Sequence, residues 1–187
     1  MSMAETARIW TRADVLAIPD DGNRYELLDG ELLVTPSPRG IHQRGVLELY
    51  RRVDPYVREH RLGYTMLAPA DLDLQSDQVL QPDLFVGGLV DGREPVDWGD
   101  YAIPLLVAEI VSPATVRSDR VTKRRRYQHA GGPAYWVVDL DARLVEIWSP
   151  EAERPAIADE ALTWQPLNGP PGFSMDLASY FRAVWAE

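Results

Sequence analysis

Alternating apolar and polar residues predict short β-strands along much of this chain. Residues 24–38, RYELLDGELLVTPSP, contain two apolar runs about Asp29 and Gly30, a pair typical of a tight hairpin turn. The runs YTMLAPADLDL and VLQPDLFVG are also strand-like, with a predicted turn at Ser76 and Asp77 between them. The nearly continuous apolar run PLLVAEIVSP is typical of a strand that is buried on both faces.

In other segments of the chain, apolar residues recur at helical spacing and predict four helices. The predicted helices are a short one in WTRADVLAIPD, one over residues 41–60, one from Ser118 or Asp119 to about Ala130, and one near residues 175–185. Pro55 lies inside the second helix, where it predicts a kink or an early end. Asp119 is a candidate cap of the third helix, and Gly131 with Gly132 would end it.

The order of these elements predicts one α/β domain with a mixed sheet. After the third helix, AYWVVDLDARLVEIWSP predicts a hairpin that turns at Asp141 and Ala142. We expect a single domain over residues 1–187, with a core at about 24–150 and a C-terminal extension at 151–187.

Composition narrows the classes of protein that this chain can be. Its 187 residues are 45% hydrophobic and include no cysteine, which excludes disulfides and thiolate metal sites. No apolar run approaches the roughly 18 residues that would span a bilayer, so we expect no membrane partner and a cytoplasmic location.

Charge is distributed unevenly. The formal net charge of −10 argues against a protein that coats nucleic acid. Residues 117–126 nevertheless hold six basic groups against Asp119 alone, and one of them, Lys123, is the only lysine among 19 basic residues. A local basic patch on an acidic enzyme is compatible with both observations.

Two acidic residues lie in apolar surroundings that would bury them. Glu109 falls inside LLVAEIV, and Asp83 stands between VLQP and LFV. A buried carboxylate costs several kcal/mol unless a cation, a proton or a metal neutralises it. Oxygen ligands favour a hard ion such as Mg²⁺ or Mn²⁺. Salt bridges to the abundant arginines are the structural alternative.

Lys123 suggests a chemical use for these acids. Lysine is a compact charge whose pKa can be lowered by burial, so it can bind a water or stabilise a developing anion. Asp, Glu, Lys and a metal together can hydrolyse a phosphodiester. Tyr127 shares a helical face with Lys123, either within the site or as the apolar anchor of a polar helix.

Five segments in order give the chain a family resemblance. They are YELLDGELLVTPSP, VLQPDLFV, VAEIVSPAT, DRVTKRRRYQHAGGPAYWVVD and GFSMDLASYF, from about residue 24 to 181. Together they resemble the Uma-type family of restriction endonucleases, within the PD-(D/E)XK nuclease superfamily. The resemblance implies a restriction-endonuclease-like mixed β-sheet flanked by helices, with an N-terminal hairpin extension.

The resemblance also implies site residues. Asp83 and Glu109 match the two metal-binding acids, while Val111 stands where the superfamily usually has its lysine. In the Uma-type branch the lysine lies on the following helix, a place that Lys123 fills. Glu31 and His42 match two other recurring positions of the family.

The implied activity is Mg²⁺- or Mn²⁺-dependent hydrolysis of DNA. In this reading, five arginines would meet phosphates: Arg117, Arg120, Arg124, Arg125 and Arg126.

Two other functions stay open on the sequence. The acidic net charge favours a catalytically silent nuclease-fold module for binding or assembly. Asp83 and Glu109 could instead be the acid and base of a glycosidase, although no aromatic-rich platform lies near either. The homodimer expectation follows from six tryptophans, some of which could line a self-association surface, although core packing would also account for them.

Overall fold

A computed structural model of the chain describes residues 8–35, 37–72, 78–96, 103–131, 134–166 and 169–187. The helices are α1 (Arg12–Leu16), α2 (Gly40–Glu59), α3 (Arg124–His129) and α4 (Leu177–Trp185), and a π-helix (Ser118–Lys123) leads directly into α3. The strands are β1 (Arg24–Leu28), β2 (Glu31–Thr35), β3 (Gly63–Leu67), β4 (Leu84–Gly88), β5 (Leu106–Ile110), β6 (Ala134–Asp139), β7 (Leu144–Trp148), β8 (Ala156–Ala158), β9 (Ala161–Trp164) and β10 (Phe173–Asp176). Across these residues, no helix has the length and apolar character needed to span a bilayer.

Six strands form the central sheet in the order β3-β4-β5-β6-β7-β8. Neighbouring strands run antiparallel except β5 and β6, which are parallel. A parallel pair needs a crossover connection, and here that connection carries the π-helix and α3. The predicted α/β class with a mixed, helix-flanked sheet is confirmed.

The sheet is covered on both faces, and β5 shows how the two faces differ. Leu106, Ala108 and Ile110 join the larger core, which α2, α4 and the β9–β10 hairpin complete. Val107 joins a second core with Tyr127 of α3 and residues of the β1–β2 hairpin. Because side chains alternate along a strand, Glu109 points to the same face as Val107. An acid is thereby placed inside the second core.

The first predicted hairpin turn is confirmed at β1 and β2. Asp29 has φ 54° and Gly30 has φ 78°, the left-handed values that a two-residue hairpin turn requires. A Cβ on Gly30 would stand 2.8 Å from Cγ2 of Ile9, so the position demands glycine for space as well as for φ. The second hairpin, β6–β7, likewise encloses the predicted Asp141–Ala142 turn.

Two helix predictions differ from the structure. Helix α2 runs through Pro55 to Glu59, so the proline neither ends nor shortens it. Asp119 caps no helix; it is buried on the π-helix, where its carboxylate contacts Lys123. The reason is tertiary, because the interior charge cluster supplies a stronger partner than free backbone amides would. Gly131 follows α3 with φ 93°, as the predicted helix end requires, whereas Gly132 and the predicted Ser76–Asp77 turn lie outside the described residues.

The C-terminal extension contains more structure than the predicted final helix. Besides α4, it forms β8 at the sheet edge and the separate β9–β10 hairpin. Trp136, Trp148 and Trp164 are buried, and Trp185 packs against the larger core. These four tryptophans therefore serve core packing, and the homodimer stays a prediction without their support.

Candidate active site

Asp83 and Glu109 lie side by side where β4 begins and β5 ends. Leu84 pairs with Ala108 in the antiparallel register, which puts the preceding and following residues next to each other. The amide of Asp83 donates to Oε2 of Glu109 at 3.3 Å, and the amide of Ile110 donates to Oδ2 of Asp83 at 2.9 Å. The two sequence-predicted acids are thus brought together by sheet register.

Lys123 reaches this pair from the π-helix. Its Nζ lies 3.1 Å from Oε1 of Glu109, 2.9 Å from Oε2 of Glu26 and 3.4 Å from Oδ1 of Asp119. The lysine is 1% exposed, and Glu109 is fully buried. The predicted convergence of Asp83, Glu109 and Lys123 is therefore present in the fold.

Glu26 is a member of this cluster that the sequence reading missed. It lies on β1, is 1% exposed, and accepts a 2.8 Å hydrogen bond from the amide of Gln81 through Oε1. One carboxylate thus joins the hairpin to Lys123 and to the segment just before Asp83. The available signal was its setting in RYELL, since an acid among apolar strand residues is the same pattern that singled out Glu109.

Asp83 is held by two further basic side chains. Arg24 Nη1 donates to Oδ1 at 2.8 Å, and His42 Nε2 lies 3.0 Å from Oδ2. Burial by itself would raise the pKa of Asp83, but His42 and Arg24 outweigh burial and hold it well below its ordinary value. Asp83 is therefore an ionised carboxylate in this arrangement.

The proton affinities of the interior groups are shifted by burial and by one another. Burial raises the pKa of Glu109 well above its ordinary value, although Lys123 opposes the shift. Burial alone would lower the pKa of Lys123, but Glu109, Glu26 and Asp119 outweigh it and raise that pKa well above the usual range. Lys123 is thus a permanent cation, contrary to the lowered pKa that burial alone suggested.

The cluster carries an excess of negative charge. Four carboxylates, those of Glu26, Asp83, Glu109 and Asp119, face the two permanent cations Lys123 and Arg24. With every acid ionised, four carboxylates against these two cations leave two negative charges, which protons or a bound cation can balance. Within the described part of the chain, no group of three or more His, Asp or Glu side chains is already arranged as a metal-ligand set.

The other predicted site residues fall in different places. His42 is in the site through Asp83, as described above. Tyr127 is fully buried one helical turn after Lys123 and stacks on Tyr135 with ring centroids 5.1 Å apart. Its hydroxyl has no hydrogen-bond partner among the described residues. Glu31 is exposed at the start of β2 and lies outside the cluster.

Three of the five predicted phosphate-binding arginines are engaged within the protein. Arg120 pairs with Glu146 at 2.7 Å and with Asp139 at 2.8 Å. Arg124 lies over the ring of Trp148, and Arg126 pairs with Asp29. Arg117 and Arg125 are exposed, and none of the five lines the cleft described next.

A cleft of about 750 Å³ opens above Asp83. Arg24, His42 and Asp83 line it, together with the segment after α1, the start of α2 and the loop that follows β5. Glu26, Glu109 and Lys123 do not reach its surface and lie behind Asp83. The cleft gives a reactant access to one side of the charge cluster.

Comparisons with known proteins give the family and the fold of the chain. The model of the Uma2 family, described as "Putative restriction endonuclease", matches residues 12–178. No curated protein matches the chain. Among solved structures, the chain is similar to "a putative nuclease belonging to DUF820 from Anabaena variabilis ATCC 29413", with 18% identity and a TM-score of 0.70 over 93% of this chain and 98% of that chain. At this level of identity the likeness shows a shared fold.

Proposed function

Because this chain belongs to the Uma2 family, we propose that it is a metal-dependent endonuclease that hydrolyses DNA phosphodiester bonds. The observation that carries the proposal is the meeting of Asp83, Glu109 and Lys123 at one end of the sheet, beside an open cleft. These residues are distant along the chain, and a purely structural role would not require an access route to Asp83.

The donor set fits a hard divalent cation. Mg²⁺ binds through one or two carboxylates, keeps several waters and takes phosphate oxygens as further ligands, so a preformed set of three protein ligands is unnecessary. Asp83 and Glu109 would hold the ion, and the negative charge of the cluster favours it. When bound, such an ion polarises the phosphate and lowers the pKa of a coordinated water.

The side chains of the cluster have separable tasks in this proposal. Lys123 is a fixed cation beside Glu109 and does not reach the cleft, so it would act through space on the negative charge that develops on the phosphate oxygens, and it does not act as a base. His42 and Arg24 orient the carboxylate of Asp83. Burial and the charge of Glu109 raise the pKa of Tyr127 well above its ordinary value, so its hydroxyl stays protonated and can only donate to an anion. Arg117 and Arg125 are the exposed candidates for outer phosphate contacts.

A catalytically silent scaffold is the competing function. The contacts of Asp83 with Arg24, His42 and the amide of Ile110 favour it, because a metal would have to displace part of this network. The two functions differ in whether a divalent cation binds the folded protein.

The direct test combines cleavage with cation binding. We expect Mn²⁺ to nick supercoiled plasmid in the presence of the protein and to raise its melting temperature, because a ligand that binds only the folded state stabilises it. Asp83→Asn should abolish both effects, whereas Asp159→Asn, a matched change at an exposed site, should preserve them. Cleavage that survives both Asp83→Asn and Lys123→Met would contradict the proposed site, and the absence of any Mn²⁺ effect on melting would favour the scaffold.

A further inference from the structure

The cleft above Asp83 differs from a surface built to hold duplex DNA. Among the described residues, its lining includes the acids Asp20, Asp71 and Asp141 beside Asp83, but only two arginines, Arg24 and Arg39. Arg24 is already paired with Asp83 at 2.8 Å. Proteins that follow a duplex neutralise many phosphates with Lys and Arg, and this lining offers one uncommitted cation.

The depth of the acids imposes a second restriction on the substrate. Asp83 is 3% exposed and Glu109 is fully buried, so a phosphate must enter the cleft to approach them. A volume of about 750 Å³ is that of a small-molecule site and accommodates about one or two nucleotides. In a duplex, the phosphates lie on the outside of a thick, base-paired rod. The rod is too thick to enter the cleft together with one of its nucleotides.

The remaining lining suits an unpaired base. Leu16, Ile18 and Pro38 form apolar parts of the wall, and Tyr25 adds an aromatic ring. Unpaired bases bind such surfaces by stacking and apolar contact, with little dependence on sequence, whereas paired bases are hidden within the duplex. The lining therefore complements a base more than it complements a row of phosphates.

From these features we infer that the cleft takes an unpaired segment of a DNA strand, with its bases against the apolar wall and one phosphate directed to Asp83. The inference rests on the proposed nuclease function and specifies its substrate: single-stranded, frayed or flipped-out nucleotides. Duplex DNA is a substrate only where a strand can leave the helix.

Binding and cleavage can be measured on matched probes. One probe is a 5′-fluorescein-labelled 12-nucleotide single strand, and the other is a blunt hairpin duplex that contains the same sequence. Anisotropy is recorded with the full chain in Ca²⁺, with probe integrity checked on a gel, and cleavage is followed in Mn²⁺. We expect the single strand to bind about tenfold more tightly or better, because stacking is available only to unpaired bases.

Two further measurements, on tryptophan variants and at varied salt concentration, test whether the single strand binds in the cleft. Ala114→Trp fills the cleft from the loop after β5, and Ala183→Trp makes the same change on the exposed side of α4. Only Ala114→Trp should weaken single-strand binding, by about fivefold or more because stacking energy is lost. The slope of log affinity against log salt should be shallow, about −0.7, the value for one neutralised phosphate on a single strand.

The outcomes separate the two proposals. Equal or tighter duplex binding, equal effects of the two tryptophan substitutions, or failure of both probes to bind would each overturn the inference. A single-strand slope of about −3.5, the value for five arginine–phosphate contacts, would also overturn it. If the single strand binds in the cleft as described but neither probe is cut in Mn²⁺, the inference on the ligand stands and the proposed nuclease activity fails.

Discussion

At the scale of single residues, Lys123 is the centre of the interior charge cluster. It contacts three carboxylates within 3.4 Å and has almost no exposure to solvent. A buried ion pair contributes little net stability, but removal of one partner leaves an uncompensated charge and is strongly destabilising. The cation therefore matters to the fold as well as to the proposed chemistry.

We expect Lys123→Met to lower the free energy of unfolding by about 3–5 kcal/mol. Urea titration monitored by circular dichroism measures the change. The double variant Lys123→Met/Glu26→Gln removes one of the stranded acids and should recover part of the loss. Equal stability of the single and double variants would mean that Glu26 is not coupled to Lys123.

The two glutamates of the first hairpin, Glu26 and Glu31, provide a second prediction at this scale. Glu26→Gln keeps the acceptor for the amide of Gln81 but removes the charge that faces Lys123. A charged hydrogen bond contributes about 1.5–3 kcal/mol, so we expect plasmid cleavage to slow about tenfold or more. Glu31→Gln, at an exposed position, should leave the rate unchanged. If Glu31→Gln slowed cleavage and Glu26→Gln did not, Glu31 would be the acid of the site.

At the scale of elements, α2 connects the core to the cleft. Val46, Leu49, Val53 and Val57 lie on its buried face, and His42 in its first turn reaches Asp83. Pro55 has no amide hydrogen to continue the helical hydrogen bonds and would usually break a helix. The apolar contacts of the helix on both sides of Pro55 outweigh this local cost.

We therefore expect Pro55→Ala to raise the free energy of unfolding by about 1–3 kcal/mol, because an amide hydrogen is restored. Pro55→Gly restores the same hydrogen but has a lower helix propensity, and should be about 1 kcal/mol less stable than Pro55→Ala. Chemical denaturation of the three proteins tests the ranking. A destabilising Pro55→Ala would show that the proline is favourable where it is.

At the scale of the whole molecule, the C-terminal residues belong to the same core as the sheet. Phe173, Tyr180 and Phe181 pack in the cluster that contains α2 and β5. The hydroxyl of Tyr180 donates to the carbonyl of Gly45 at 3.0 Å, which ties α4 to α2. Removing this segment would expose apolar surface along α2 and the sheet.

A chain that ends at residue 150 is therefore expected to lose cooperative unfolding in urea. The larger core cannot be completed without α4 and the β9–β10 hairpin. Phe181→Ala is the control for a local defect: it should cost about 3–5 kcal/mol but keep a single sharp transition. A shortened chain that still unfolds cooperatively would show that residues 151–187 are a dispensable extension.

The sequence by itself determined the features that depend on neighbours along the chain. The Asp29–Gly30 turn, the periodicity of α2 and the apolar run around Glu109 are local signals, because turn dihedrals and side-chain alternation are properties of short segments. The same reasoning marked Asp83 as a charge in an apolar strand. The chemistry of lysine singled out Lys123, and the family resemblance then matched it to a site position.

The tertiary structure decided which of these groups meet and what surrounds them. Glu26 and Glu31 lie in similar patterns of the same hairpin, and only the docking of that hairpin against the sheet buries the first. The raised pKa of Lys123 depends on three carboxylates from three separate elements. The sequence predicted that the arginines after residue 117 bind phosphates. In the structure, three of them contact other residues of the protein, namely Glu146, Asp139, Trp148 and Asp29. Long-range contacts of this kind arise from packing between elements, and no spacing along the chain encodes them.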